Sequence, residues 1–389
     1  MSEAQVVTAG SLRDIVALVP FVCGFHPRRS LVLLSLRGPR LRVGQVARVD
    51  LPPVEDAAEP VAELLSDLMT DLVSSLVRDG ARAGVIAVYD EQPWDAAGPP
   101  HVELVTGLRS RLDRAGVGVR DAVYVSAERY WSYLCRDPEC CPPGGGSVAA
   151  ALASPLAAEL VLAGVAPLAS REELAARLEP GRPLLVAAVA DIAWRRLTEA
   201  ADRTERAEAP DRATWELLDG LVSLYRSAPK DGDQAGPALR PGEAGALVAA
   251  VQDVAVRDEL LLRYCRVGLP LPDAARSGPA AVAGVTGATG LPLPGLGAER
   301  GAEQEHEEAM GRLLVDLGAS IAGPLAAAPL SVLAWHSWAR GEGALARIAV
   351  ERALAEDPTY RLALLLTAVL DHGLPPDWVG RARAAEAAS

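Results

Sequence analysis

Lysine is all but missing from this chain. Lys230 stands alone, and arginine supplies the other positive charges. With 51 acidic residues against 38 basic ones, the net charge is −13. That balance argues against a general nucleic-acid binder, because the phosphate backbone attracts basic surfaces. Phenylalanine occurs only twice, so Ala, Val and Leu must build the core. Cysteine occurs five times, an odd number. No basic cluster precedes the first apolar segment, as a secretory leader would require. Both facts fit a reducing, cytoplasmic setting. Long apolar runs are missing too. Residues 148–169 are broken by Pro155, Glu159, Gly164 and Pro167, and residues 317–339 by Pro324 and Pro329. Both read as buried helices and not as membrane spans. No phosphate-binding loop, dinucleotide fingerprint, nucleophile elbow or His-Glu-x-x-His helix is present. No reaction class is therefore legible, and whether the chain is an enzyme stays open.

The most distinctive stretch is Trp131 to Gly146, WSYLCRDPECCPPGGG. It holds Cys135, Cys140 and Cys141, with Trp131 and Tyr133 at its start and a stiff Pro-Pro-Gly exit. Pro142 biases Cys141 towards an extended backbone. Cys140 and Cys141 are then expected to point in opposite directions, which disfavours one zinc ion taking both. A structural zinc normally needs four ligands, and no second cysteine pair exists. Three readings stay open. The thiols are buried as small hydrophobes, which is the favoured one. Otherwise a metal such as zinc is held by candidates Cys135, Cys140 and His26, or Cys135 pairs with Cys140 or Cys141 in a redox couple.

At 389 residues the chain is long enough for two or more domains. Its first 150 residues read as an α/β domain with a mixed sheet and crossover helices; the remainder reads as all-α. Ser11 caps a short amphipathic helix to Val22. Residues 30–36 and 41–49 read as an antiparallel hairpin. Helical spacing over 55–78 precedes an apolar strand at 84–89, and a second helix at 101–115 precedes a strand at 121–126. Residues 151–266 read as a helical region. Within it Ser154-Pro155 and Ser170 to Glu173 mark helix starts, and 244–264 reads as helical. Residues 267–301 are Gly/Pro-rich and read as a linker or insertion. Residues 302–389 are helical again. Ala334, Ala346 and Ala353, with Pro358 after them, are spaced as in a tetratricopeptide hairpin, a surface suited to docking a protein partner.

The segments LVPFVCGFHPRRSLVLL, RVDLP, YWSYLCRDPECCPPGG and ARGEGALARIAVERALAEDPTYRLALLL together resemble the actinobacterial family of domain of unknown function 4192. The resemblance spans nearly the whole chain apart from the Gly/Pro-rich stretch. It implies a bacterial intracellular protein with the Gly-Phe-His-Pro turn and the cysteine loop as hallmarks, and it brings no substrate or cofactor.

If the strands run parallel through their crossovers, the chain after Val49, Tyr89 and Ser126 emerges at one edge of the sheet, where α/β domains bind ligands. His26, Asp50, Asp90, Glu91, Trp94, Trp131, Cys135, Cys140 and Cys141 are the candidate site residues, with the cysteine loop as a lid. The carboxylates could serve as acid–base groups or metal ligands, and the Trp pair as a stacking surface. Turn formation and capping are the favoured reading of His26 and the carboxylates. Together these features read as a binding or scaffold protein; the alternatives are a metal- or thiol-dependent hydrolase and a thiol redox sensor.

Overall fold

The computed structural model describes residues 11–38, 41–51, 59–95, 98–162, 165–201, 212–228, 237, 239–265, 302–374 and 376. Within these, residues 59–68 and 302–304 are described by their backbone alone. The Gly/Pro-rich stretch 267–301 lies outside the described residues.

The first part is built on a six-stranded mixed sheet. In chain order its elements are α1 (Leu12–Cys23), β1 (Ser30–Arg37), β2 (Arg42–Asp50), α2 (Glu59–Arg78), β3 (Ala81–Tyr89), α3 (Val102–Arg114), β4 (Gly118–Val125), β5 (Arg129–Ser132), β6 (Gly146–Ser147), α4 (Val148–Leu152) and α5 (Pro155–Leu162). The strand order is β2-β1-β3-β4-β5-β6. Only β3 and β4 run parallel; the β1–β2, β1–β3, β4–β5 and β5–β6 pairs are antiparallel. The predicted hairpin and both crossover helices are present, but β1 sits between β2 and β3 as an antiparallel insert. Trp131, expected in a loop, lies within β5.

The sequence explains each face. Ser11 caps α1 through a reciprocal pair with Asp14, satisfying amides that the first turn leaves free. In β1, Leu31 and Leu33 face one way, with Leu72, Leu76, Ile86, Val88, Leu108, Leu112 and Tyr124. Val32 and Leu34 face the other way, with Val16, Val19, Val85, Ala87, Val123 and Ala151. Thus α2 and α3 cover one face while α1 and α4 cover the other. A strand apolar on both sides is what a sheet with two covered faces demands.

One buried polar group interrupts this core. Asp79 is 1% exposed and Arg37 4%. Asp79 accepts from Ser35 Oγ at 2.5 Å and from the Gln45 amide at 3.0 Å. Arg37 Nε stands 3.6 Å away, close enough for charge attraction but too long for a hydrogen bond.

The remaining described elements are helical: α6 (Arg171–Ala176), α7 (Pro183–Ala201), α8 (Arg212–Ser227), α9 (Pro241–Ala250), α10 (Val254–Tyr264), α11 (Ala302–Ala319), α12 (Ala327–Ala339), α13 (Gly343–Glu356) and α14 (Arg361–Asp371). The stretch expected to be helical over 244–264 is, as two helices. Asp253 accepts from the Ala255 amide at 2.8 Å and starts α10 afresh. Ala334, Ala346 and Ala353 are fully buried. The chain divides into two compact units. The sheet unit runs to Arg171 and so includes α4 and α5; the helical unit begins at Glu172 and takes helices from both sides of 267–301. No described helix is long and apolar enough to cross a membrane.

Candidate functional site

Register fixes where the sheet's upper rim lies. Asp50 pairs with Ser30, Ser30 with Tyr89, Tyr89 with Val125, Val125 with Tyr130 and Tyr130 with Gly146. The ends of β2, β3 and β4 therefore do share one rim with the start of β1. Beyond it lies the carboxyl-end zone where open α/β sheets hold ligands.

The chain leaving β3 builds a polar cluster there. Asp90 Oδ2 sits 2.7 Å from His101 Nε2 and accepts from Gln92 Nε2 at 3.0 Å. The Glu91 amide donates to Asp90 Oδ1 at 2.9 Å. The Asp90 and His101 side chains are 10% and 18% exposed. Burial alone would raise the Asp90 pKa, but the His101, Glu91 and Gln92 hydrogen bonds outweigh it and hold the carboxyl below its usual value. Asp90 thereby orients the His101 ring through Nε2. His101 opens α3 at φ 54°, without a side-chain cap bond. A non-glycine residue in that region carries strain that the surroundings must hold.

Four aromatic rings buttress the cluster. Trp94 stacks on Trp131, with centroids 5.6 Å apart and planes 3° from parallel. Tyr133 tilts against Trp94 at 5.3 Å, and Tyr124 against it at 5.9 Å. Tyr124 Oη donates to the carbonyls of Asp90 and Gln92, and Tyr133 Oη to that of Pro100. The rings thus pin the two ends of the loop between β3 and α3. Burial pushes both phenols well above their ordinary pKa, so they stay donors at neutral pH.

The cysteine loop forms a second cluster. Leaving Tyr130 at the rim, β5 runs back down the sheet: Ser132 pairs with Val123, and the Tyr133 amide donates to the Ala122 carbonyl. The loop therefore starts at the β5 side of the sheet and returns to the rim at Gly146, which pairs with Tyr130. The thiols also converge instead of diverging. The Sγ atoms of Cys135, Cys140 and Cys141 all lie within 4.8 Å of one another, and those of Cys140 and Cys141 are 3.9 Å apart. The reason is local. The Cys141 amide donates to the Asp137 carbonyl at 2.7 Å, curling the backbone into a turn where Pro142 suggested an extended one. Nor are these thiols buried as hydrophobes: Cys140 is exposed, and Cys135 and Cys141 are half-buried.

Side chains of β5 hold this loop. Ser132 Oγ accepts from the Leu134 and Cys135 amides at 3.1 and 2.9 Å. Trp131 Nε1 donates to the Pro143 carbonyl at 3.2 Å. Arg129 donates to the Gly144 and Gly145 carbonyls at 3.0 and 3.1 Å. Gly145 has φ +74°, and a Cβ there would fall 2.6 Å from the Trp131 ring. A Cβ on Gly146 would fall 2.3 Å from the Tyr130 ring. These glycines let aromatic rings lie on the backbone, so the glycine run is a packing device and not a phosphate cradle.

The structure joins Asp90, Trp94 and Trp131 in one cluster and the three thiols in another. Glu91 is exposed beside the first. Asp50 lies on β2, four strand positions from β5, about 19 Å at the usual strand spacing. There it pairs with Arg48 and is 72% exposed. The His26 amide donates to the Leu168 carbonyl at 2.9 Å; burial, then the Arg28 charge, lowers the His26 pKa. His101, Gln92, Tyr124 and Tyr133 were missed as site residues. The available signal was a histidine after Pro99-Pro100 at a helix start, where Ser, Thr, Asp or Asn is the usual residue.

No curated protein and no solved structure matches the chain. Residues 13–277 and 298–377 match the family described as Domain of unknown function (DUF4192). That span covers most of the chain and both clusters, and the protein belongs to this family.

Proposed function

We propose that this chain is a binding protein whose α/β unit recognises a small polar ligand at the carboxyl rim of its sheet. The observation that carries this reading is the Asp90–His101 pair, 2.7 Å apart and partly exposed. Asp90 is held ionised, and it fixes the His101 ring through Nε2. The pair sits where the chain leaves β3, beside the Trp94–Trp131 stack, whose fluorescence would report an occupant. A carboxylate, an oriented imidazole and an amide close to flat rings suit a ligand with hydroxyl or amino donors and an apolar face.

The test is a tryptophan-fluorescence and thermal-shift screen of a small-molecule collection against the full chain. Ligands should emerge whose binding is lost in Asp90→Asn and His101→Ala but kept in Trp194→Ala, which changes a surface residue of α7. If every ligand found binds those two variants as well as it binds the wild type, the reading is wrong. The C-terminal helices support a scaffold role in the same protein, since Leu364 and Leu365 on α14 are 47% and 57% exposed. Leu364→Glu with Leu365→Glu should abolish capture of a protein partner, and full retention would dismiss that role.

A further inference from the structure

The cysteine loop does more than close a turn. We propose that Cys135, Cys140 and Cys141 form a three-thiolate site for one soft divalent metal ion, zinc by preference. Zinc–sulfur bonds of about 2.3 Å in a tetrahedron place the sulfur atoms about 3.8 Å apart. Cys140 and Cys141 already stand at 3.9 Å, and all three thiols lie within 4.8 Å of one another. Small side-chain rotations close the set on an ion.

The backbone that carries them is built for this arrangement. Ser132 fixes the Cys135 amide, and the Asp137 carbonyl fixes that of Cys141. Asp137 Oδ1 also accepts from the Glu139 amide at 2.9 Å, holding the turn between the two ends. Trp131 and Arg129 clamp the exit through the carbonyls of Pro143, Gly144 and Gly145. A metal site needs its ligands held by such supporting contacts.

Thiolate donors select zinc and other soft ions over magnesium or calcium. Among the described residues no His, Asp or Glu joins the three thiols. The fourth coordination position therefore falls to water or to a donor from outside the loop, the pattern of zinc sites that exchange a ligand. A disulfide uses two thiols and strands the third, whereas a metal uses all three.

Titration of the tagless full chain under reducing conditions, first with cobalt(II) and then with zinc, decides the matter. One equivalent of cobalt should give a near-ultraviolet sulfur-to-cobalt charge-transfer band, and zinc should abolish it. Cys135→Ser, Cys140→Ser and Cys141→Ser should each weaken cobalt affinity at least about tenfold. Cys23→Ser, which changes the thiol at the end of α1, should leave the titration unchanged. The proposal falls if the wild type shows no thiolate band at one equivalent. It also falls if the band survives undiminished in all three loop variants. Because the wild-type titration decides the first outcome, misfolding of a variant cannot rescue the idea.

Discussion

Gly145→Ala tests how the cysteine loop is held. The new Cβ would lie 2.6 Å from Cε2 and 2.8 Å from Nε1 of Trp131, about 1 Å inside ordinary carbon–carbon contact. Trp131 has little room to yield, being stacked on Trp94 and bonded to the Pro143 carbonyl. Displacing it forfeits about 0.5–1.5 kcal/mol for the ring pair and a similar amount for the hydrogen bond. The backbone adds its own cost, since φ is +74° and a left-handed alanine costs about 1–2 kcal/mol more than glycine there. Partial relaxation of the loop offsets some of this cost, leaving about 2–4 kcal/mol. In a unit of this size that lowers Tm by about 4–16 °C. Gly144→Ala is the matched control: a Cβ there meets nothing within 4 Å, so stability should stay within about 0.5 kcal/mol. Urea unfolding followed by tryptophan fluorescence reads both. If Gly145→Ala matches the wild type, or Gly144→Ala loses as much, the clamp by Trp131 does not exist.

Three further outcomes probe other parts of the molecule. Asp79→Ala should destabilise the sheet unit by about 3–5 kcal/mol, because it leaves Arg37 buried without its counter-charge; denaturant midpoints at equal m-value measure it, and a loss under about 1 kcal/mol would contradict the buried pair. Ser132→Ala frees the Leu134 and Cys135 amides and should weaken cobalt binding several-fold while costing about 1–3 kcal/mol of stability; equal affinity in calorimetric titration would show that the hydroxyl does not support the cage. Burial, then the Arg340 charge, lowers the His336 pKa to about 3, so the folded helical unit holds this ring neutral. The unfolded chain takes up a proton near pH 6.5, so this contribution to stability is complete above that value and is lost as pH falls towards about 3. His336→Gln, which keeps a donor for the Glu307 carbonyl, should flatten that part of the stability–pH profile, and an unaltered slope would argue against it.

Local chemistry in the chain set the individual elements. The apolar runs of β1 and β3, the Ser11 cap, and the spacing in the helices on either side of β3 are short-range signals, and each appeared as an element close to its expected bounds. Two-sided burial of β1 was legible because both Leu31/Leu33 and Val32/Leu34 are apolar. The rim shared by Asp50, Tyr89 and Val125 came from hairpin and crossover order alone. Packing between distant segments settled the site. Nothing local reveals that β5 turns back down the sheet, because that depends on pairing with β4; this is why Trp131 lies in a strand and why Asp50 stands four strand positions from β5. The convergence of Cys140 and Cys141 depends on a carbonyl four residues back winning over the bias of a following proline. The Asp90–His101 pair joins two ends of a loop whose meeting is imposed by rings from β4 and the β5 end. Periodicity records which residues want to be buried, whereas pairing register and long-range contacts choose which of them meet.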